Sequence, residues 1–397
     1  MEKLAIHGGK PIREKKLFYG HQYIDERDKE AVMQVLNSDY LTCGPKVAEL
    51  EKKLCEYTQA RYAVAVSNGT AALHCACLAA GIGEGDEVIT TPITFAASAN
   101  CAVYCGARPV FADINPNTYN IDPESIRACI TERTKAIVAV DFTGQVVEIE
   151  EIRKICKEHN LIFIEDAAHS IGSKYNNRMV GNLADITTFS FHPVKTITGG
   201  EGGAVLTNDK EMYEKIMLAH THGITRDKKF MSQEWEEPWY YEMVMEGFNY
   251  RLTDIQSALI VSQLDKIDYF IQRRKEIVGR YNEAFSEMPE VIVQNEIPQS
   301  DTCRHLYILR LNLSMLKCTR LEFFQAMAAE NVQCQVHYIP VYWFPYYRRF
   351  GYEKGLCPKA EEMYESIMSL PLYPAMTDED VEDVIEAVKK VVAAYKK

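Results

Sequence analysis

The chain has 397 residues, of which 47% are hydrophobic and 25% are charged, and its formal net charge is -12. This composition is ordinary for a soluble globular protein, and the length favours two domains over a single small core. The acidic balance argues against nucleic acid as a main ligand, because phosphate backbones are bound by clustered Lys and Arg side chains.

The amino terminus and the cysteines bear on cellular location. The opening segment, MEKLAIHGGKPIREKK, carries charges where a signal peptide needs an apolar core, and no apolar run approaches the roughly 18 residues of a membrane span. We therefore expect a cytoplasmic protein that has no membrane partner. The twelve cysteines are scattered and lack zinc-type spacing, which predicts reduced, mostly buried thiols and no metal site.

From about residue 60 to residue 207, short apolar runs alternate with stretches of helical periodicity. The predicted strands are YAVAV (62–66), EVITT (87–91), RPVFA (108–112), AIVAVD (136–141), LIFIED (161–166), ITTFSF (186–191) and GAVLT (203–207). This alternation is typical of a largely parallel sheet covered by helices on both faces. The sequence therefore predicts a large α/β domain.

The rest of the chain divides around one long helix. Residues 251–285 have helical spacing, with Thr253 or Asp254 placed to cap the start. We expect an N-terminal arm over 1–20, the large domain over 21–255, a connecting helix over 256–288 and a small α+β domain over 289–397. The small domain opens on a linker or edge strand and ends in two helices.

Three polar segments follow strands of the predicted sheet. SNGTAAL (67–73) opens a helix, and a phosphate could rest on Asn68, Gly69, Thr70 and Ala71. Asp166 follows the strand LIFIED, and Lys195 follows TTFSF. Ligands of such sheets bind at the carboxyl ends of the strands, so the three segments are expected to meet there.

Each of these segments also has an ordinary interpretation when taken alone. SNGTAAL could be a capped helix start, Asp166 a turn residue, and Lys195 a solvated surface charge. A different segment, GIGEGDE (81–87), has the look of a dinucleotide loop. It follows a helix and precedes a strand, which is the reverse of what that motif requires, so we interpret it as a turn.

The combination of the three segments suits pyridoxal 5′-phosphate. The aldehyde of this cofactor needs an amine, its ring nitrogen needs a carboxylate, and its phosphate needs N–H and hydroxyl donors. Lys195, Asp166, and the 68–71 turn with Ser190 meet these needs in order.

At these residues the chain resembles the sugar aminotransferases of the DegT/DnrJ/EryC1/StrS family. The similar segments are LNSDYLTCGPKVAELEKKL (36–54), SNGTAAL (67–73), TPITFAASANCAVYCGARPVFADI (91–114), IEDAAHSIGSKY (164–175), FSFHPVKTITGGEGGAV (189–205), GFNYRLTDIQSALIVSQL (247–264) and QVHYIPVY (335–342). The resemblance covers nearly the whole chain. It implies the fold type I, aspartate aminotransferase-like architecture.

The resemblance also implies roles for single residues. Lys195 would form the Schiff base, and Asp166 would pair with the pyridine nitrogen. His169, where many members have Gln, would lie near the 3-hydroxyl of the ring, or else be a histidine satisfied in the core. Phe95 would stack on the ring, or pack in the core.

Two further positions concern the cofactor phosphate. By resemblance, Ser190 would bind the phosphate within its own subunit, whereas Asn249 would reach the phosphate from a second subunit. The second role implies a homodimer with shared active sites. His192 and Thr196, on either side of Lys195, receive no catalytic role.

The resemblance favours transamination as the reaction. Dehydratase relatives carry His at the lysine position, whereas this chain has Lys195. L-glutamate is the usual amino donor in the family, and Arg251 could hold its carboxylate as a bidentate partner. A non-catalytic regulator that binds the cofactor should have lost Lys195 or Asp166. A nicotinamide enzyme would need a GxGxxG motif that SNGTAAL lacks.

The acceptor implied by the resemblance is a UDP-linked 4-keto-6-deoxy-N-acetylhexosamine. The residues expected to line its pocket are Tyr19, Asp39, Tyr40, Leu41, Thr42, His337, Tyr338, Ile339 and Pro340. The later arginines Arg348 and Arg349 could lie near the diphosphate, or else on a packed surface. Another UDP- or dTDP-linked 3- or 4-keto sugar stays open as an alternative, since the opening AIHGGKPIR departs from the shortest relatives.

Overall fold

The computed structural model describes residues 2–233 and 237–397. The first residue of the predicted arm and three residues of the predicted large domain therefore lie outside the described residues. None of the described helices combines the length and the apolar run that a membrane crossing requires. All twelve cysteines have free thiols, and eight of them are buried.

The helices are numbered in chain order. They are α1 (Glu26–Leu36), α2 (Pro45–Thr58), α3 (Gly69–Ala79), α4 (Ala97–Tyr104), α5 (Pro123–Cys129), α6 (Ile149–His159), α7 (Lys210–Ala219), α8 (Asp254–Leu264), α9 (Ile267–Phe285), α10 (Arg320–Ala329), α11 (Pro358–Ser366) and α12 (Asp378–Tyr395).

The strands are numbered in the same way. They are β1 (Tyr62–Val66), β2 (Glu87–Thr90), β3 (Arg108–Phe111), β4 (Thr134–Val140), β5 (Ile162–Asp166), β6 (Lys174–Tyr175), β7 (Arg178–Met179), β8 (Ile186–Ser190), β9 (Gly203–Thr207), β10 (Ile224–Thr225), β11 (Glu242–Met243), β12 (Val291–Val293), β13 (Ser300–Asp301), β14 (Tyr307–Leu311) and β15 (Ile367–Leu370).

A seven-stranded sheet forms the centre of the fold. Its strand order is β1-β9-β8-β5-β4-β2-β3, and only β9 runs antiparallel to its neighbours. Side chains alternate between two cores, since Ala63 and Ala65 pack on one face of β1 whereas Val64 and Val66 pack on the other. Burial on both faces explains why the strands are mainly apolar. The predicted α/β fold class is confirmed.

The predicted connecting helix is interrupted. Its start is capped by Thr253 as expected, in a capping box with Gln256. At Lys266 the backbone leaves helical geometry, so that α8 and α9 are separate helices rather than one. The ammonium of Lys266 lies 2.6 Å from the buried carboxylate of Asp28 and 2.9 Å from that of Asp25. These partners lie far away in sequence, so helical periodicity could not reveal the break.

A second core lies around the three-stranded sheet β12-β14-β15 and includes α9, α10 and α12. The N-terminal segment packs on this core through Leu4 and Leu17, and Leu17 pairs with Val332 in a parallel bridge. The Tyr19 carbonyl accepts a hydrogen bond from the N–H of Leu372, a residue of this core, so the segment stays attached to the second core as far as Tyr19. The borders predicted above for the arm, the large domain, the connecting helix and the small domain remain predictions.

A buried ion pair anchors the N-terminal segment. The Glu330 carboxylate accepts hydrogen bonds from the backbone N–H groups of Ala5 (2.9 Å) and Ile12 (3.0 Å), and from Lys390 Nζ (3.0 Å). The side chains of Glu330 and Lys390 are almost fully buried. Removing one partner of such a pair leaves an uncompensated buried charge.

We predict that Glu330→Ala lowers the free energy of unfolding by about 3–5 kcal/mol, because Lys390 loses its buried partner. Urea unfolding followed by circular dichroism measures this loss, and limited proteolysis should show faster cleavage within residues 2–17. Glu26→Ala is the control, since Glu26 pairs with Lys29 on an exposed helix surface. Equal losses for the two variants would contradict the anchoring role.

Candidate active site

A cavity of about 730 Å³ opens at the carboxyl-terminal edge of the central sheet. Predicted cofactor and substrate residues converge on it. Those that line it are Tyr19, Asn68, Gly69, Thr70, Ala71, Phe95, Asp166, His169, Ser190, Lys195, His337 and Tyr338. The structure thus brings the phosphate turn, the carboxylate and the lysine into one site.

The start of α3 forms an anion site at one end of the cavity. The Asn68 side chain accepts a hydrogen bond from the N–H of Ala71 at 2.8 Å, which leaves the N–H groups of Gly69 and Thr70 without intrahelical acceptors. A Cβ atom at Gly69 would lie 2.7 Å from the Ser190 Cβ. Glycine therefore lets the helix start approach the Ser190 hydroxyl, and the N–H and O–H donors form a cradle suited to a phosphate.

Asp166 ends β5 and is buried. Its Oδ2 accepts a hydrogen bond from the Ser98 hydroxyl at 2.6 Å, and its Oδ1 accepts one from the Ala168 N–H at 3.2 Å. Burial raises the pKa of this carboxyl, whereas the Ser98 and Ala168 bonds and the charge of Lys195 oppose the increase. The donors and the lysine therefore favour the ionised form that a protonated ring nitrogen would need.

Lys195 follows β8 in a turn closed by the hydrogen bond from its own N–H to the carbonyl of His192 at 2.9 Å. Burial lowers the pKa of its amine from the ordinary 10.5 to about 8, although Asp166 acts in the opposite direction. A substantial fraction of the amine is thus neutral near pH 8. His192 supplies a backbone acceptor to the turn and lies at the exposed rim of the cavity.

A group of histidines lies beside the lysine. His169 is buried, and burial followed by the charge of Lys195 lowers its pKa well below the ordinary value. Its Nε2 lies 3.3 Å from the hydroxyl of Tyr338, and its ring centroid is 4.3 Å from that of His305. His169 is therefore a neutral imidazole at neutral pH. His305 was not predicted from the sequence.

The residues present fit pyridoxal phosphate by their donor set. The cavity offers an amine with a lowered pKa at Lys195, a buried carboxylate at Asp166 and a helix N-terminus with an adjacent hydroxyl at Ser190. Phe95 is 62% exposed and lies at the cavity, so its ring is available for contact with a planar group. The lysine, the carboxylate and the anion cradle match the aldehyde, the ring nitrogen and the phosphate.

Comparison with known proteins assigns the family. Residues 22–389 match the sequence profile of the DegT/DnrJ/EryC1/StrS aminotransferase family. The chain belongs to this aminotransferase family.

Similar proteins span nearly the full length of this aminotransferase. The spore coat polysaccharide biosynthesis protein SpsC of Bacillus subtilis is 41% identical over 94% of the chain and 96% of its own length. The UDP-4-amino-4,6-dideoxy-N-acetyl-beta-L-altrosamine transaminase of Campylobacter jejuni is 37% identical over 96% of the chain and 98% of its own length. The putative sugar aminotransferase Spr1654 of Streptococcus pneumoniae, in its PMP form, is 32% identical with a TM-score of 0.89, over 95% of the chain and 99% of its own.

These similarities confirm the predicted family and cofactor. Spr1654 has been solved in both a PLP form and a PMP form, the two states that carry the cofactor without and with the amino group. The protein is therefore a pyridoxal phosphate-dependent sugar aminotransferase.

Several predicted site residues of the aminotransferase do not line the cavity. These are Asp39, Tyr40, Leu41, Thr42, Asn249, Arg251, Ile339 and Pro340. Asn249 is exposed and pairs with Thr221 in an isolated bridge, and Arg251 pairs in the same way with Val66. Their roles stay predictions. Arg348 does not line this cavity but a separate one of about 390 Å³, which Trp343 also lines.

Other residues of the cavity were not predicted from the sequence. They include Thr94, Ser98, Tyr104, Thr188 and Tyr250. The hydroxyl of Ser98 could have been suspected, because it lies three residues after Phe95 and thus on the first turn of a helix that starts at the site. Its contact with Asp166 spans 68 residues of sequence and has no local signal.

We predict that Lys195→Met stabilises the apoprotein at pH 7 by on the order of 3 kcal/mol. The reason is that the variant has no amine at this position, so folding no longer places a charged ammonium where the protonated form is disfavoured. The native pKa is about 8 and the ordinary value is 10.5. The penalty is therefore complete below pH 8, declines between pH 8 and 10.5, and is absent above.

Urea unfolding of both apoproteins at pH 7 and pH 10 checks this pH dependence. The gain from Lys195→Met should shrink at the higher pH. Lys210→Met is the control, because Lys210 is 72% exposed in its side chain and should shift the unfolding free energy by less than about 0.5 kcal/mol at either pH. A gain that is independent of pH would contradict a lowered pKa for Lys195.

Proposed function

We propose that the enzyme transfers an amino group from L-glutamate to C4 of UDP-2-acetamido-2,6-dideoxy-β-L-arabino-hex-4-ulose. The product would be UDP-4-amino-4,6-dideoxy-N-acetyl-β-L-altrosamine. One observation supports amino transfer above all others, namely a lysine amine with a lowered pKa in the same cavity as a buried carboxylate. The choice of sugar is supported by the full-length similarity to the Campylobacter jejuni transaminase.

Each proposed cofactor contact follows from the geometry. Pyridoxal phosphate, when bound, supplies an aldehyde that accepts the amino group and a ring that stabilises negative charge at the reacting carbon. Asp166 would hold the proton of the ring nitrogen, and the 69–70 N–H groups with Ser190 would hold the phosphate. The neutral His169 would face the 3-oxygen, and Phe95 would cover the ring.

Lys195 would act as the proton carrier of the reaction. With a pKa of about 8, its Nζ would move a proton from the α-carbon of the amino donor to C4′ of the cofactor in the first half-reaction. In the second half-reaction it would move a proton from C4′ to C4 of the sugar. A general base works best when its pKa lies near the working pH. The same lysine therefore serves in both half-reactions.

Contacts to the two substrates are proposed from different segments of the chain. Tyr19, His337 and Tyr338 lie at the cavity and come from the arm and the small domain, where a sugar could be bound. Arg251 would pair with the carboxylate of glutamate through its planar guanidinium. Arg251 is two residues after Asn249 in the sequence.

A homodimer with shared active sites would complete the pocket. Asn249 and Phe95 are exposed in one subunit, and the apolar side chains of Trp239, Tyr241 and Met243 are exposed near Asn249 in sequence. A subunit interface would cover these three apolar side chains, which are exposed within five residues of the chain. A second subunit would bring its Asn249 to the phosphate of the first.

A different keto sugar is the second candidate acceptor. The identity to SpsC, a spore coat polysaccharide biosynthesis protein, exceeds the identity to the altrosamine transaminase. This difference favours testing other UDP- and dTDP-linked 3- or 4-keto sugars beside the proposed one. A regulator without catalytic activity is disfavoured, because Lys195 and Asp166 are both in place.

We predict that the holoenzyme converts the proposed UDP-linked 4-keto sugar with L-glutamate faster than it converts other 4-keto UDP- and dTDP-sugars. Release of 2-oxoglutarate in a coupled assay measures the rate, and nuclear magnetic resonance of the product gives the configuration at C4. Lys195→Ala is the inactive control, with an unchanged circular dichroism spectrum. Preference for a dTDP-sugar, or the opposite C4 configuration, would contradict the assignment.

A shared site also predicts complementation between two inactive variants. Lys195→Ala and Asn249→Ala homodimers each have both sites impaired, whereas a mixed dimer has one site with both residues intact. Random mixing should therefore restore about a quarter of the wild-type activity. Refolding the two variants together, against each refolded alone, measures it. No gain on mixing would contradict the role of Asn249 across the interface.

A further inference from the structure

Two hydroxyl groups lie behind the carboxylate of Asp166. They belong to Thr94, in the loop after β2, and Ser98, in the first turn of α4. Both side chains are buried. The Thr94 Oγ1 lies 2.7 Å from the Ser98 Oγ, which in turn lies 2.6 Å from Asp166 Oδ2. We call Thr94 and Ser98 the hydroxyl pair.

The distances define the direction of the hydrogen bonds. A separation of 2.6 Å is in the range of a hydroxyl that donates to a carboxylate, whereas 2.7 Å is ordinary between two hydroxyls. Ser98 has one proton, and this proton is used at Asp166. Ser98 must then accept from Thr94. The carbonyl of Phe95, at 3.3 Å, is the longer alternative acceptor for the Ser98 proton.

We propose that Ser98 is a positioning residue, which keeps Asp166 ionised and oriented towards the cofactor ring and is itself oriented by Thr94. The inference rests on the proposed role of Asp166 at the ring nitrogen. It assigns to α4 a function in the chemistry of the site. The hydrogen bond that Ser98 donates favours the charged carboxylate of Asp166. Asp166 could donate to Ser98, and Ser98 to Thr94, only if Asp166 were protonated.

The surroundings make the hydroxyl pair important. Asp166 is buried, and burial favours the neutral acid. The other titratable groups that act on Asp166 are Lys195, whose charge favours ionisation, and Asp141 and Tyr338. The Asp141 carboxylate accepts hydrogen bonds from the Ser170 hydroxyl at 2.6 Å and from the Val147 N–H at 2.9 Å. Its backbone N–H donates to the Asp166 carbonyl at 3.2 Å, and not to the Asp166 carboxylate. Only Ser98 and the Ala168 N–H donate to this carboxylate among the described residues.

The test is the affinity of the apoprotein for pyridoxal phosphate, measured by equilibrium titration from pH 6 to pH 9. Ser98→Ala should weaken binding on the order of tenfold, because a hydrogen bond to a charged group is lost. The loss of affinity should grow as pH falls. In Ser98→Ala the pKa of the Asp166 carboxyl should be higher than in the native protein, so this carboxyl should become protonated at a higher pH. Ser98→Thr should restore most of the affinity, and Thr94→Val should give a smaller loss.

Two further variants separate the possible outcomes. Thr90→Val is the control for the loss of a buried hydroxyl. The Thr90 hydroxyl, on β2, donates to the Val138 carbonyl at 2.8 Å, and its removal should change cofactor affinity by less than about twofold. Asp166→Asn tests the role on which the inference rests. Weaker binding for Asp166→Asn with native binding for Ser98→Ala would overturn the role of Ser98 alone. Native binding for both would overturn the role of Asp166 as well.

A folding defect in Ser98→Ala does not prevent the test. Ser98→Cys keeps the volume but replaces the hydroxyl with a weak donor. Ser98→Cys should show a pH-dependent loss of cofactor affinity that is smaller than the loss expected for Ser98→Ala. The visible absorbance of its holoprotein should also shift as pH falls. An absorbance profile and an affinity identical to those of the native protein would overturn the proposal.

Discussion

Parallel pairing between β5 and β8 is the constraint on which the cavity depends. Asp166 pairs with Thr188 in this register, so the two strands end at the same edge of the sheet. The turns that follow them carry His169 and Lys195 respectively. A shift of one residue would turn alternate side chains to the opposite face, and Asp166 would exchange places with Glu165. The position of the acid relative to the lysine is therefore fixed by backbone hydrogen bonds of a buried sheet.

Burial at this edge has opposite consequences for the acid and the base. It lowers the pKa of Lys195, which makes the amine available near neutral pH, and it raises the pKa of Asp166, which works against the charge that the ring nitrogen needs. The lysine needs no compensation for this effect. The ionised form of Asp166 needs stabilisation, and it receives hydrogen bonds from Ser98 on α4 and from the Ala168 N–H in the turn after β5. The site thus combines an apolar environment for one group with a polar one for its neighbour.

Local patterns in the sequence were sufficient for the central sheet and for the groups at its edge. The strands from β1 to β9 that form the sheet are mainly apolar, and Asn68, Asp166 and Lys195 lie at their carboxyl ends or within five residues of them. Features that depend on distant contacts could not be predicted in this way. The break before α9 is stabilised by Asp28, the donor to Asp166 comes from α4, and His305 reaches His169 from across the chain. Periodicity contains no information on such pairs.

The two halves of the cavity differ in how they are supported. The half around Lys195 and Asp166 is built on the central sheet, whereas Tyr19, His337 and Tyr338 come from the arm and the small domain. His337 is held by the Ser369 hydroxyl of β15 at 2.7 Å, and the path of the arm is set by Glu330. The two halves meet where the Tyr338 hydroxyl lies 3.3 Å from His169 Nε2 and where the Val341 N–H donates to the Pro92 carbonyl in the loop after β2. Apart from such contacts, the anchors of Tyr19 and His337 lie outside the strands that carry the acid and the lysine.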